Sequence, residues 1–153
     1  MRDAVARTGL DRSGMTILTE AATGAYGVTA PIAALAGAKQ VLALARPSPY
    51  GSVREAADWT KPLAASSGVG SAVRVVEELP DNLRPIDLIT NSSHLRPINA
   101  RMIHQLGENC VIALMFEAWE FRPQDIDLAL CREKKSKSSA LTSATRPSTF
   151  FRI

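Results

Sequence analysis

Six consecutive residues, Ala22-Thr23-Gly24-Ala25-Tyr26-Gly27, have the small-residue spacing with which a backbone cradles a phosphate. They form a Gly-x-Gly-x-x-Gly loop with alanine at the first position. In such a loop the turn must be tight, the chain must pass close to the pyrophosphate at Gly24, and the following helix must pack close at Gly27. Helix-terminal N–H groups would then face the phosphate charge. Ala22, Gly24 and Gly27 are the cofactor-binding candidates here. A loop of small residues that merely packs is the plain alternative.

About twenty residues further on, such sites place an acid for the ribose hydroxyls when the cofactor is NAD. This chain reads Ala45-Arg46-Pro47-Ser48-Pro49-Tyr50-Gly51-Ser52 instead. Arg46 with Ser48 and Ser52 suits a 2′-phosphate, so NADP is expected ahead of NAD. A third polar cluster, Thr90-Asn91-Ser92-Ser93-His94, follows an apolar run. Asn91 and Ser92 suit a ribose or a carboxamide. His94 suits acid–base work because imidazole titrates near neutrality, and a capping loop with an exposed histidine is its plain alternative. Glu117 could orient that histidine or meet substrate, as could Glu120. Trp119 and Phe121 suit a pocket wall, the packing of the next helix, or a homodimer interface. His104 falls in a helical stretch as a surface residue. There is no metal-ligand spacing, no Gly-x-Ser-x-Gly elbow and no phosphate-loop lysine.

Placing these groups requires alternating strands and helices. Met15–Thr19, Val41–Ala45, Ala72–Val76, Ile86–Thr90 and Cys110–Phe116 read as five short apolar strands. Val28–Ala36 reads as a helix stopped by Gly37. Behind Ser52 as N-cap, Val53, Ala56, Ala57, Thr60, Leu63 and Ala64 form one helical stripe. Pro62 is expected to kink or end that helix. Ile98, Met102, Ile103 and Leu106 share a helix face, and Asp125 is expected to cap a last helix carrying Ile126, Ala129 and Leu130. Regular alternation predicts an α/β fold, a doubly wound and mainly parallel sheet of about five strands with helices on both faces. Ligands in such sheets lie at the carboxyl ends of the strands.

The chain's 153 residues, 46% of them hydrophobic, suffice for one real core. The expected division is a polar segment 1–14, a Rossmann-like nucleotide-binding domain 15–132 and a basic Ser/Thr-rich tail 133–153. Six basic residues and one acid lie in 132–153, which leaves 12 basic and 14 acidic residues in 1–131. The net charge of +3 therefore belongs to the tail, and no nucleic-acid partner is expected. Cys110 and Cys131 read as reduced core residues. No apolar run reaches the ~18 residues of a membrane span, and the N-terminus lacks a signal peptide's apolar stretch, so a cytoplasmic protein is expected. The tail has a second reading. One base earlier, Ser136 to Ile153 can encode a stretch opening Ile-Lys-Val-Leu-Gly, which would make a sixth strand, so the tail is also read as a frameshifted end.

The run Ile86-Asp87-Leu88-Ile89-Thr90-Asn91 to Arg96-Pro97-Ile98-Asn99, then Met102 to Leu106 and Val111 to Met115, resembles the cofactor domains of D-2-hydroxyacid dehydrogenases and adenosylhomocysteinase. The resemblance covers roughly residues 15–131. It implies an NAD(P)-binding domain of an oxidoreductase, passing hydride to or from a small carbonyl or hydroxyl substrate. The chain departs from those families at Ala22 and Arg46, and no catalytic residue of theirs maps onto it. An S-adenosylmethionine-dependent methyltransferase is the alternative, because Glu20 to Gly27 and Gly37-Ala38-Lys39-Gln40-Val41 also suit a unit holding that ligand. Such enzymes usually finish on an antiparallel strand, whereas the shifted-frame reading of the tail predicts a parallel one. A non-catalytic nucleotide-binding module, or a truncated inactive chain, is the third reading.

Overall fold

The computed structural model describes residues 1–115, 122–133, 142–143, 146–147 and 150–152. The chain divides into two compact units, Met1–Leu79 and Pro80–Ile153. All five expected strands form, and within each unit they run parallel to one another, with helices between them. This is an α/β, Rossmann-like fold.

In the first unit, α1 (Arg2–Thr8) precedes β1 (Thr16–Glu20), α2 (Thr29–Leu35), β2 (Gln40–Leu44), α3 (Val53–Ser66) and β3 (Val73–Val76). The sheet order is β3-β2-β1. Ile17 pairs with Val41, and Val41 with Val73. The run Val41 to Ala45 is buried throughout because its strand is central in this unit and covered on both faces. Ile17, Leu18, Val41 and Leu44 make the core, and the small side chains Ala30, Ala34, Ala56 and Ala64 are buried on the helices.

Helix α3 starts on a capping box. Ser52 Oγ accepts from Glu55 N at 3.2 Å, and Glu55 Oε2 accepts from Ser52 N at 2.8 Å. Its stripe buries Ala56, Thr60 and Ala64, four residues apart. Pro62 does not end the helix, which runs on to Ser66. Proline removes one hydrogen bond and crowds the carbonyl four residues back. Here both Pro62 and Asp58 face solvent, so the disturbance falls on the exposed side of the helix. Helix α1 buries no residue, which is why no apolar period marks it. It ends on Gly9 in the left-handed conformation, and Arg2 Nη2 donates to Ser67 O at 2.6 Å.

The second unit holds β4 (Leu88–Asn91), α4 (Ala100–Gln105), β5 (Val111–Leu114), α5 (Leu128–Glu133), the two-residue strands β6 (Thr142–Ser143) and β7 (Arg146–Pro147), and β8 (Phe150–Arg152). Leu88 pairs with Val111 and Asn91 with Leu114. Asn99 caps α4, accepting from Met102 N at 3.1 Å. The cap of α5 differs from expectation. Asp127, not Asp125, accepts from Leu130 N, at 2.9 Å. Asp125 instead ends a 3-10 turn over Pro123–Asp125, and its carboxylate lies 3.5 Å from Arg96 Nη1. Ile126 is drawn inward to 2% exposure by a bridge to Ile98, which shifts the helix start by two residues. On the far side of β5 lies β8, antiparallel, with Ile112 paired to Phe151. The tail segment thus contributes a strand, and that strand is antiparallel.

Candidate functional site

Beyond β1 the chain turns through Ala21, buried completely, into the glycine loop. Gly24 has φ of 63°, a left-handed conformation that costs an L side chain energy, and no atom lies within 4 Å of where its Cβ would be. Gly27 is constrained differently. A Cβ there would meet Ala22 O at 2.6 Å and Trp59 Cδ1 at 2.5 Å. The alanine at the first loop position therefore does not prevent a tight turn, since Ala22 and Gly27 close upon each other and Gly24 supplies the positive φ. The loop does not enter an α-helix directly, as its pattern predicts. It first makes a 3-10 turn over Gly24–Val28, and α2 begins at Thr29.

The loop is tied to the segment after β2, where Thr23 Oγ1 donates to Tyr50 O at 3.2 Å. In that segment Arg46 is exposed. Ser48 is occupied locally: its hydroxyl accepts from Tyr50 N at 3.2 Å, and its backbone exchanges two hydrogen bonds with Gly51. Ser52 is held by the cap of α3. Of the three residues suited to a 2′-phosphate, two already spend their hydroxyls on a turn and a cap. Glu55, the partner in that cap, has its carboxyl held below the ordinary range by the Ser52 N–H and hydroxyl.

At the end of β4, Thr90 Oγ1 and Ser92 Oγ share a hydrogen bond of 3.1 Å. Side chains alternate along a strand, so Asn91 faces away from this pair, and the expected grouping of Asn91 with Ser92 is not realised. Both are buried, as is His94 at 9% exposure within a 3-10 turn over Ser93–Leu95. The imidazole is not the exposed group of a capping loop. His104 is on the surface of α4, as expected. Glu117, Trp119, Glu120 and Phe121 lie outside the described residues.

Two participants, Arg96 and Trp59, escaped the sequence reading, and Glu20 entered it only as the start of a ligand-holding unit. Arg96 donates from Nε to Asn91 O at 3.0 Å and to Asn91 Oδ1 at 3.3 Å, fixing that side chain. Trp59 lies over Gly27, and Glu20, at the carboxyl end of β1, is only 4% exposed. A buried acid ending an apolar strand is a legible signal, since burial of a carboxylate is costly. Arg96 and Trp59 gave none, because each acts through a contact distant in sequence. A cavity of about 360 Å³ in the second unit lies between Pro97–Ala100 and Pro123–Ala129, and none of the candidate residues lines it.

Among the described residues no cluster of acids, histidines and cysteines could hold a metal ion, and no helix is long and apolar enough to cross a membrane. Cys110 and Cys131 are free and buried. Burial, helped by Asp87 and Cys131, pushes the Cys110 thiol up to about 12.

No protein-family model and no curated protein matches the chain. Among solved structures it is similar to a candidate rRNA-methylase from Clostridium thermocellum, with a TM-score of 0.51 and 11% identity. The match covers 99% of this chain and 90% of that one. At this identity the likeness concerns the fold alone.

Proposed function

We propose that the chain is an S-adenosylmethionine-binding domain of a methyltransferase, acting on a small-molecule acceptor. The observation that carries this reading is β8, which lies antiparallel against β5. An antiparallel closing strand separates the methyltransferase layout from the dehydrogenase layout, which the shifted-frame tail would have continued in parallel. The likeness to a methylase over 99% of the chain points the same way. Gly24, Ala22 and Gly27 would give the ligand a close backbone approach, and Glu20 an acid at the strand end. The neighbour's name specifies rRNA. The net charge of −2 over residues 1–131 of this chain supports a small acceptor instead.

The second reading is NADP-dependent hydride transfer, and Arg46 supports it alone once Ser48 and Ser52 are spent on local structure. A thermal-shift panel separates the two. A ligand present at a hundred times its dissociation constant stabilises the fold by about 2.7 kcal/mol. For a chain of this size that raises the melting temperature by about 5–10 °C. Stabilisation by S-adenosylmethionine and S-adenosylhomocysteine is expected. Stabilisation by NADPH and NADP alone would replace this reading with the second. No shift with any of them, nor with NAD or NADH, would leave a module that binds neither cofactor.

A further inference from the structure

Asn91 ends β4 with no exposed surface, and among the described residues its Nδ2 has no hydrogen-bond partner. Such a group costs folding free energy, and native proteins leave few of them. The identity of the orphan atom follows from its neighbour. Arg96 Nε is an obligate donor and lies 3.3 Å from the other terminal atom of the amide, which must therefore be the oxygen. The same Nε also bonds Asn91 O at 3.0 Å, and Arg96 Nη1 is paired with Asp125 at 3.5 Å. The guanidinium is held from two sides and cannot swing away to let the amide flip. The carboxamide is planar, so its two N–H bonds point away from Arg96.

We infer that Asn91 is a specificity-determining donor at the carboxyl end of β4, and that the ligand group it selects is a hydrogen-bond acceptor: a carbonyl, a carboxylate or an unprotonated ring nitrogen. An ammonium group is excluded, because it has no acceptor and two donors would face each other across a buried contact. The inference does not rest on methyl transfer and holds for either cofactor. The donor is out of reach of bulk solvent, so an incoming group must displace side chains to meet it. Small probes are therefore the appropriate test.

Labelling asparagine side-chain amides with nitrogen-15 yields signals from Asn82, Asn91, Asn99 and Asn109. Their assignment comes from correlation with the backbone. The full chain is titrated with acetate and N,N-dimethylacetamide, which only accept, and with ethylammonium, which only donates. The Asn91 amide protons are expected to move downfield with the first two and to ignore the third. Asn82 and Asn99 are exposed and serve as controls for non-specific contact. In N91D, which keeps an oxygen for Arg96, acceptor-induced shifts at the Ser92 and Leu95 backbone amides should vanish and a response to ethylammonium should appear. The inference is overturned if the Asn91 protons touch a long-lived water and answer no probe. It is also overturned if they answer ethylammonium alone, or if N91D responds to acetate as the parent does. The cofactor panel reads the methyl-transfer proposal separately, so one can fail without the other.

Discussion

Replacing Gly27 by alanine adds a single methyl group at the most crowded point of the glycine loop. That methyl would meet Trp59 Cδ1 at 2.5 Å, Trp59 Nε1 at 2.8 Å and Ala22 O at 2.6 Å, where ordinary contact begins near 3.4 Å. The indole can tilt about its side-chain bonds. The Ala22 carbonyl belongs to the backbone, and restoring ordinary contact means moving it by about 0.8 Å. Overpacking of this kind costs about 1–3 kcal/mol. Alanine recovers roughly 0.4–1 kcal/mol by restricting the unfolded chain. The net loss is about 1–2 kcal/mol, a fall in melting temperature of about 3–6 °C. Thermal and urea unfolding of G27A, W59A and the double variant measure it. With the ring gone, only the Ala22 contact remains, so the double variant should be more stable than the sum of the single effects by about 1 kcal/mol. If G27A melts within a degree of the parent, the loop is looser than these distances state and the argument for a forced glycine fails.

Four further outcomes can be checked independently. Ser52→Ala removes the N-cap of α3 and should cost about 1 kcal/mol in urea unfolding. Glu55 has a depressed folded-state carboxyl pKa, so its contribution is present above the ordinary 4.5 and is lost as pH falls through the folded value. Comparing acid unfolding of E55Q with the parent should show the difference shrinking below that pH. Pro62→Ala restores an N–H on the solvent side of α3 and should stabilise the chain by about 1–2 kcal/mol, where an unchanged or lower stability would mean that the ring is needed. Cys110, buried with its thiol pushed up to about 12, should resist iodoacetamide at pH 8 in the folded chain and react once denatured. Mass spectrometry of the alkylated protein reads this directly.

The elements that sequence periodicity disclosed are those whose burial is repetitive. Val41 to Ala45 could be read because five apolar residues in a row have little choice but a covered strand. The stripe Ala56, Thr60, Ala64 was legible because its spacing is that of a helix. Asp125 was misjudged as a cap because Ile126 is pinned to Ile98, and a single long-range bridge moves a helix start without altering local chemistry. Pro62 misled because its cost depends on which face of the helix it occupies. Around the candidate site, residue types were legible but their commitments were not. Ser48 and Ser52 are hydroxyls of the right kind, yet each is consumed by a bond two or three residues away. Asn91 showed the opposite: a polar residue expected to be one of a group proved to be the unsatisfied member, and only Arg96, five residues on, reveals which of its atoms is unsatisfied.

The position of Trp59 has an optical consequence. Its ring is half exposed and rests on Gly27, so its emission depends on the arrangement of the glycine loop. The chain has two tryptophans, the other being Trp119. Replacing Trp119 with phenylalanine leaves a single tryptophan, seated on the loop that would approach a cofactor. Arrival of a ligand there would register in the wavelength and lifetime of that one indole, without any label.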